Sequence, residues 1–145
     1  MDPKDIAKFI NYLKNGKDFI IASRVIKGAE NEEDEQLIKY RKWSSQFMAF
    51  VINILWGRGG NKATDLTQGY RAITRKGYAR LKIKIPNAIA PDTEQIIRAL
   101  KNDIFIIEFP TKEGKRMYGE TSMASFKTSR ANIKVFLQEI IYSNK

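Results

Sequence analysis

Apolar residues along the chain follow two spacings, which predict helices and strands in alternation. The first segment has a helical spacing, with apolar side chains at Ile6, Phe9, Ile10 and Leu13. Asp2 and Pro3 precede it as an N-cap and first-turn pair, and Gly16 ends it. Residues 18–23, DFIIAS, are almost continuously apolar, which is typical of a strand buried on both faces, as in a parallel sheet. A helix that leads into a buried strand predicts an α/β fold.

A second helix is predicted from Gln36 to Trp56, after an acidic loop at residues 30–35. Towards its end the apolar residues cover nearly the whole circumference, which indicates a helix that is buried on several sides or lies at an interface. The glycine-rich stretch from Gly57 to Asp65 lacks the spacing of the known phosphate-binding loops. This stretch is therefore predicted to be a flexible connection.

The rest of the chain continues the alternation of helices and strands. The pattern predicts a strand at residues 69–74, a short helix at 75–81, a capped helix at 91–102, a strand at 103–109 and a C-terminal helix. The capped helix carries Ile96, Ile97 and Leu100 on one face, and the last helix carries Ile133, Phe136, Leu137, Ile140 and Ile141 on one side. A basic loop at residues 111–122 separates the last strand from the last helix.

Length and composition narrow the class of protein. The 145 residues suffice for a single domain, residues 1–145, with a hydrophobic core. The net charge of +10 favours an anionic partner such as a phosphate, a nucleic acid or a membrane surface. Cysteine and histidine are both absent, which excludes disulfides, thiolate nucleophiles and a Ser-His-Asp triad. Carboxylates are then the general bases expected near neutral pH.

The sequence also predicts a cytoplasmic protein. The N-terminal stretch MDPKDIAKFI is charged within its first five residues and is not followed by the apolar segment of a secretory signal. The longest uncharged stretch, Trp43 to Gly57, is shorter than the roughly 20 apolar residues that a membrane-spanning helix needs.

Five separated stretches occur in an order that is informative when they are taken together. They are MDPKDIAKFI…FIIASR, KYRKWSS, TDLTQGYRAITR, TEQII and IIEFPTKEGKRMYGETS. In this order they resemble the second half of an inverting family-2 glycosyltransferase, in particular the dolichyl-phosphate mannose synthase group. The resemblance implies a partial GT-A fold, the acceptor-side half without the N-terminal nucleotide-binding strands. It also implies transfer of a sugar from a nucleotide-sugar donor to a polyprenyl (dolichyl) phosphate.

The resemblance assigns roles to individual residues. Arg24, Arg41 and Ser45 match residues that bind the acceptor phosphate, a task that suits the planar, permanently charged fork of arginine. Arg41 and Ser45 stand four residues apart on one predicted helix face. Asp65 matches an acidic residue beside the acceptor, and Arg116 matches an arginine that reaches the donor phosphates. Supporting roles fall to Gly69, Arg71, Glu94, Lys115 and Glu120.

Asp65 has two alternative tasks by this resemblance. A sugar hydroxyl acceptor would need a base, because a hydroxyl is a poor nucleophile while it keeps its proton. A lipid monophosphate has a second pKa near about 6 and is already mostly dianionic at about pH 7. With such an acceptor Asp65 would chiefly orient it. Local alternatives are a cap or Asx-turn for Asp65, a structural ion pair for Arg71 and a solvated surface charge for Arg116.

The family's metal-binding Asp-x-Asp has no counterpart between Met1 and Lys145. The complete enzyme is expected to use Mg²⁺ or Mn²⁺ to neutralise the leaving diphosphate. The expectation is therefore that this chain is incomplete alone and pairs with a second copy or with a complementing N-terminal chain. A peripheral contact with the cytoplasmic membrane face is also expected, because basic residues attract anionic lipid headgroups.

Two other classes of function stay open at this point. The charge permits a nucleic-acid-binding module, but the aromatic residues follow core spacings and no nucleic-acid-binding signature occurs, which disfavours it. A scaffold or regulatory relative of the same fold would bind a partner without catalysis.

Overall fold

The fold is a mixed α/β arrangement, seen in a computed structural model that describes residues 2–29, 40–83, 90–112 and 125–142. Within these ranges the side chains of residues 40–42, 125–128 and 142 are not described. The helices in the described ranges are α1 Asp5–Lys14, α2 Tyr40–Trp56, α3 Arg75–Leu81, α4 Pro91–Lys101 and α5 Ser125–Tyr142. The strands there are β1 Phe19–Ser23, β2 Arg71–Ile73 and β3 Ile106–Pro110.

The three described strands form one sheet in the order β2-β1-β3. β1 runs parallel to β3, with Phe19 opposite Ile106 and Ser23 opposite Pro110. It runs antiparallel to β2, with Phe19 opposite Ile73. All five residues of β1 are buried, as predicted for residues 18–23. The predicted parallel pairing is present on one side of β1 only.

Alternation along β1 divides the core between the two faces of the sheet. Phe19 and Ile21 face a larger cluster that includes Ile52 of α2 and Ile97 of α4. Ile20 and Ala22 face a smaller cluster with Phe9 of α1 and Phe109 of β3. The sheet is therefore covered by α1 on one face and by α2 and α4 on the other, and this central position explains why β1 is continuously apolar.

Helix α5 is attached to α4 partly through buried charge. The Glu139 carboxylate is fully buried, and it accepts hydrogen bonds from Arg98 Nε at 2.9 Å and Lys101 Nζ at 2.7 Å. Trp56 of α2 meets Phe136 of α5 edge to face, with ring centroids 5.8 Å apart. α2, α4 and α5 are thus neighbours on one side of the sheet.

The start of α1 differs from the prediction. The helix begins at Asp5, with Lys4 as the flanking residue, rather than after an Asp2 N-cap. The Asp2 carboxylate instead accepts the Lys4 N–H at 2.9 Å, and the Asp2 carbonyl accepts the Asp5 N–H at 3.0 Å. A short polar side chain can satisfy nearby backbone groups in this way without starting a helix.

Of the two alternatives predicted for α2, burial on several sides is wrong for its described side chains, and an interfacial position stays a prediction. Only a narrow stripe with Ala49 and Ile52 is buried. The opposite face carries four large apolar residues that are between 61% and 68% exposed: Trp43, Phe47, Phe50 and Ile54. The apolar pattern indicated a wide hydrophobic surface correctly, but the core is small and covers only one side of it.

The apolar side of α5 is likewise largely exposed. Phe136 packs against the larger core cluster, whereas the other predicted residues are 36% to 64% exposed: Ile133, Leu137, Ile140 and Ile141. Among its described side chains, α5 buries those of Ala131, Val135 and Glu139. We name the exposed residues of the two helices the apolar face: Trp43, Phe47, Phe50, Ile54, Ile133, Leu137, Ile140 and Ile141.

The glycine-rich stretch after α2 is a loop, as predicted, but hydrogen bonds fix it to the core. The buried Asn61 side chain donates to the Ile104 carbonyl at 2.8 Å and accepts the Ile106 N–H at 2.9 Å. Asn53 of α2 holds the Ala63 backbone through both its side-chain atoms, at 2.7 and 3.0 Å. These bonds set where the chain is directed at Thr64 and Asp65.

Candidate functional site

Polar side chains gather at the edge of the sheet where β1 and β3 both end. Because these strands are parallel, their carboxyl ends lie at the same edge, which is where ligands bind in open α/β sheets. Ser23 and Arg24 end β1, and Thr64 and Asp65 of the fixed loop meet them there. Residues 41 positions apart in the sequence are thereby brought into contact.

Asp65 and Arg24 form the centre of this cluster. Asp65 Oδ2 accepts Arg24 Nε–H at 2.9 Å and the Arg24 backbone N–H at 3.1 Å, while Oδ1 accepts Nη2–H at 3.0 Å. This is the bidentate geometry in which arginine and carboxylate pair most strongly. Asp65 is 2% exposed, and the Arg24 side chain is 21% exposed. The buried carboxylate therefore fixes an arginine that still reaches the surface.

The same bonds bear on the two tasks open to Asp65. A general base needs a carboxylate oxygen that faces the proton it takes. Both oxygens of Asp65 are bonded to Arg24 instead. The geometry favours the orienting task over the deprotonating one. A cap or Asx-turn does not account for these contacts, because the bonds of Asp65 join the loop to Arg24 at the end of β1.

Arg71 ties this region to the start of α4. Its Nε donates to the Gln68 carbonyl at 2.8 Å, its Nη2 also donates to that carbonyl, and its Nη1 donates to the Asp92 carbonyl at 3.2 Å. The pKa of Arg71 is lowered, chiefly by burial and also by the charge of Arg24. The neighbouring Asp92 and Asp65 carboxylates act in the opposite direction and raise it. The structural ion pair, with Asp92 Oδ1 at 3.4 Å, is the role that this geometry favours.

Glu108 belongs to the cluster and was not predicted as a site residue. Its Oε1 accepts the backbone N–H groups of Thr64 at 2.8 Å and Asp65 at 3.3 Å, and its Oε2 accepts the Thr64 hydroxyl at 2.7 Å. The Thr64 hydroxyl also lies 3.3 Å from the Ser23 hydroxyl. One signal could have found Glu108, since a single acid inside the apolar strand IIEFP must have partners if it is buried.

Among the other predicted site residues, Arg41 and Ser45 belong to α2, and three lie outside the described part. Ser45 is half buried on α2, and the backbone of Arg41 is four residues earlier in that helix, but the Arg41 side chain is not described. Lys115, Arg116 and Glu120 lie outside the described residues.

Gly69 and Glu94 have clear positions. Gly69 is exposed, and a Cβ added there would meet no described atom within 4 Å. A glycine at this position is therefore not required by packing within the described residues. Glu94 is buried in the first turns of α4, two residues after the Asp92 that pairs with Arg71. It lines a cavity of about 360 Å³ with Tyr78 and Lys82.

The charges described in the cluster do not leave it positive. Arg24 and Arg71 face three carboxylates, those of Asp65, Asp92 and Glu108. A phosphate would add further negative charge to this edge. Its binding therefore requires cations beyond the two described arginines, and the predicted ones are Arg41, Lys115 and Arg116.

The expected metal does not fit the residues seen at this edge. Across the described ranges, no group of three or more histidine, cysteine, aspartate or glutamate side chains is arranged to hold a metal ion. The carboxylates of Asp65 and Glu108 are occupied by arginine, hydroxyl and backbone donors.

Comparisons with known proteins give no relationship. No protein-family model matches the chain, and no curated protein sequence matches it. In the part of the chain that the structure describes, no helix is both long and apolar enough to cross a bilayer.

Proposed function

We propose that this chain forms the acceptor side of an inverting family-2 glycosyltransferase of the GT-A type, which transfers a sugar from a nucleotide-sugar to a polyprenyl (dolichyl) phosphate. The observation that carries the proposal is the bidentate pair of Asp65 with Arg24 at the carboxyl ends of β1 and β3. These two residues come from different motifs of the resemblance, and they meet at the edge where α/β folds bind ligands.

In the proposed reaction, Arg24 receives the acceptor phosphate and Asp65 fixes the guanidinium plane. A phosphate monoester is mostly dianionic at about pH 7, so its oxygen attacks without a base. The new bond joins that oxygen to the anomeric carbon, and the bond from this carbon to the nucleoside diphosphate breaks. The engagement of both Asp65 oxygens supports this division of tasks, since the carboxylate is used for orientation.

The apolar face supports a peripheral position on a membrane for this acceptor. Trp43, Phe47, Phe50 and Ile54 follow each other at helical spacing, opposite the buried stripe of α2. Helices with such a face lie in the interfacial plane of a bilayer, and basic residues add attraction to anionic headgroups. Arg130 and Lys134 are exposed on α5 beside its apolar residues. The proposed location is the cytoplasmic membrane face.

A partner chain completes the proposed enzyme. The nucleotide-sugar and its Mg²⁺ or Mn²⁺ would be bound by a complementing N-terminal chain, or the chain would associate with a second copy of itself. β2 and β3 are the outer strands of the described sheet, and an outer strand can pair with another strand. Activity of the isolated chain with any nucleotide-sugar would overturn this part of the proposal.

The acceptor site is tested with geranyl phosphate, a short isoprenyl monophosphate, by titration calorimetry. Arg24→Gln should weaken binding about tenfold or more, because a charge-assisted bidentate contact is lost. Arg80→Gln is the matched control, since Arg80 pairs with Asp18 at the other end of β1, at 3.5 Å, and it should bind as the wild type does. Equal binding by the two variants would contradict the proposal.

The same titration separates the rival functions. A nucleic-acid-binding module would bind a single-stranded oligonucleotide with an affinity that falls steeply with salt, and it would not distinguish geranyl phosphate from inorganic phosphate. A scaffold would bind neither ligand. Either result would replace the transferase proposal.

A further inference from the structure

We infer that Glu108 is a positioning residue, which holds the Thr64–Asp65 backbone so that the Asp65 carboxylate stays paired with Arg24. The inference rests on the proposed function as far as the ligand of Arg24 is concerned. Its structural part stands on the contacts of Glu108 alone. Glu108 acts through Asp65, and its two oxygens are directed to protein groups.

The backbone N–H groups of the loop at Thr64 and Asp65 are bonded to Glu108. Thr64 and Asp65 lie outside any strand, so their N–H groups have no ladder partner. Buried N–H groups need an acceptor, and a carboxylate is a strong one because the bond is charge-assisted. Glu108 Oε1 accepts both N–H groups, at 2.8 and 3.3 Å. The position of the peptide between the two residues is therefore set by β3.

The other oxygen of Glu108 contacts a side chain of the loop. Oε2 accepts the Thr64 hydroxyl at 2.7 Å, and that hydroxyl lies 3.3 Å from the hydroxyl of Ser23. Ser23 immediately precedes Arg24. Glu108 thus connects to the end of β1 by a second route, in addition to the sheet pairing that places it opposite Ile21.

Asp65 connects the backbone that Glu108 holds to Arg24. The Asp65 carboxylate accepts three bonds from Arg24, two from the guanidinium and one from the backbone. Such a set needs the Asp65 backbone at a fixed distance from β1. A shift of about 1 Å in a supporting group is enough to spoil a binding geometry. The anchor at Glu108 thus determines the orientation that Arg24 presents at the surface.

The experiment measures hydrogen exchange of the Arg24 Nε–H by NMR, with the signal assigned by its loss in Arg24→Lys. In Glu108→Ala the exchange should be about tenfold faster than in the wild type, because the bond to Asp65 opens more often. In Glu108→Gln it should stay within about twofold, because the amide oxygen can still accept both backbone N–H groups. If the charge of Glu108 acted directly on Arg24, glutamine would not restore the slow exchange of the Arg24 Nε–H.

A matched control and a milder variant keep the outcome interpretable. Glu139→Gln alters another buried carboxylate, bonded to Arg98 and Lys101 between α4 and α5, and it should leave the Arg24 exchange unchanged. Thr64→Val removes only the hydroxyl contact and should give an intermediate rate, which decides the question if Glu108→Ala does not fold. Unchanged exchange in both Glu108→Ala and Thr64→Val would overturn the inference. An equal acceleration of the exchange in Glu108→Gln and Glu108→Ala would also overturn it.

The ligand part of the inference is tested separately with geranyl phosphate. Glu108→Ala should weaken its binding about as much as Asp65→Ala does, and Glu108→Gln should largely restore it. If the wild type does not bind this phosphate, the proposed function fails, while the exchange rates still decide whether Glu108 positions Arg24. Binding that is lost in Glu108→Gln but kept in Glu108→Ala would contradict the positioning role.

Discussion

Two regions of this molecule invert the usual distribution of polar and apolar groups. At the ends of β1 and β3, the charged Asp65 is buried and bonded on both oxygens. On the apolar face, aromatic side chains such as Trp43 and Phe47 are exposed instead. Buried charge must be paired to be tolerated, and a large exposed apolar patch often marks an interaction site. The two regions therefore point to different kinds of use.

This difference predicts which substitutions should lower the stability of the fold. In the polar cluster each group has specific partners, so removal of one leaves another unsatisfied. On the apolar face the side chains contribute little to the core, so their loss should matter mainly to a partner or a membrane. Substitutions that disturb both regions equally would break this contrast.

Asp65→Ala should have the largest effect on stability. It removes the buried carboxylate that Arg24 pairs with through two guanidinium bonds. This loss should cost about 2 to 4 kcal/mol in the free energy of unfolding. Urea unfolding followed by tryptophan fluorescence measures this. The control is Asp92→Ala, which removes a partly exposed carboxylate 3.4 Å from Arg71 and should cost less than about 1 kcal/mol. Similar losses of unfolding free energy in the two variants would mean that burial does not determine how much these ion pairs contribute to stability.

Gly57→Ala tests whether the loop is closely packed where it leaves α2. A Cβ at Gly57 would lie 2.5 Å from the Asn53 carbonyl oxygen, so the end of α2 must shift, and overpacking of this kind costs about 1 to 3 kcal/mol. Gly69→Ala is the matched substitution, because its Cβ would meet no described atom within 4 Å. It should change the free energy of unfolding by less than about 0.5 kcal/mol. A reversed order of the two effects would show that the loop is not fixed at Gly57.

Asp5→Asn tests whether a second buried carboxylate, that of Asp5 on α1, also stabilises the fold. Burial raises the pKa of Asp5, but hydrogen bonds from Lys8 and Thr111 and the nearby positive charge lower it further, so the net shift is downwards. The ionised Asp5 therefore stabilises the fold above its ordinary pKa of about 3.9, and this contribution is lost as the pH falls through the lowered folded value. The substitution should cost about 1 to 2 kcal/mol near pH 6.

The pH dependence provides the check on that prediction. The difference in unfolding free energy between the wild type and Asp5→Asn, measured in urea at several pH values, should be largest above about pH 4 and should shrink below it. A difference that grows as the pH falls would contradict the lowered pKa of Asp5.

The polar cluster could be predicted from the sequence only in part. The continuously apolar β1 fixed the centre of the sheet, and the resemblance put Asp65 beside Arg24. Glu108 was missed because its partners, two backbone N–H groups and the Thr64 hydroxyl, lie in a loop whose path the sequence pattern does not reveal. The antiparallel pairing of β2 was also missed, since a three-residue strand has too little pattern to show its direction.

The apolar face shows the opposite limit of sequence reasoning. Helical spacing predicted correctly that Leu137 lies in a helix with other apolar residues, and it indicated an apolar surface nearly all round the end of α2. Spacing cannot tell whether a core or a solvent-exposed surface receives such a face, because that depends on how many elements surround the helix. For α2 the pattern left burial on several sides and an interfacial position open, and only one side of its described part is buried.

Replacement of Phe47 and Phe50 by serine should have the smallest effect on stability, within about 0.5 kcal/mol, because both side chains are more than half exposed. The same double variant should lose most of its co-sedimentation with vesicles that contain phosphatidylserine, since each lost aromatic ring removes apolar area from the bilayer interface. Ile6→Ser with Ile10→Ser is the matched control, because these residues are also exposed but lie on α1, across the sheet. Equal loss of vesicle binding in both variants would mean that general hydrophobicity, rather than the apolar face of α2 and α5, holds the chain at a membrane. Unchanged vesicle binding in the α2 variant, with self-association reduced in sedimentation velocity, would instead assign this face to a second copy of the chain.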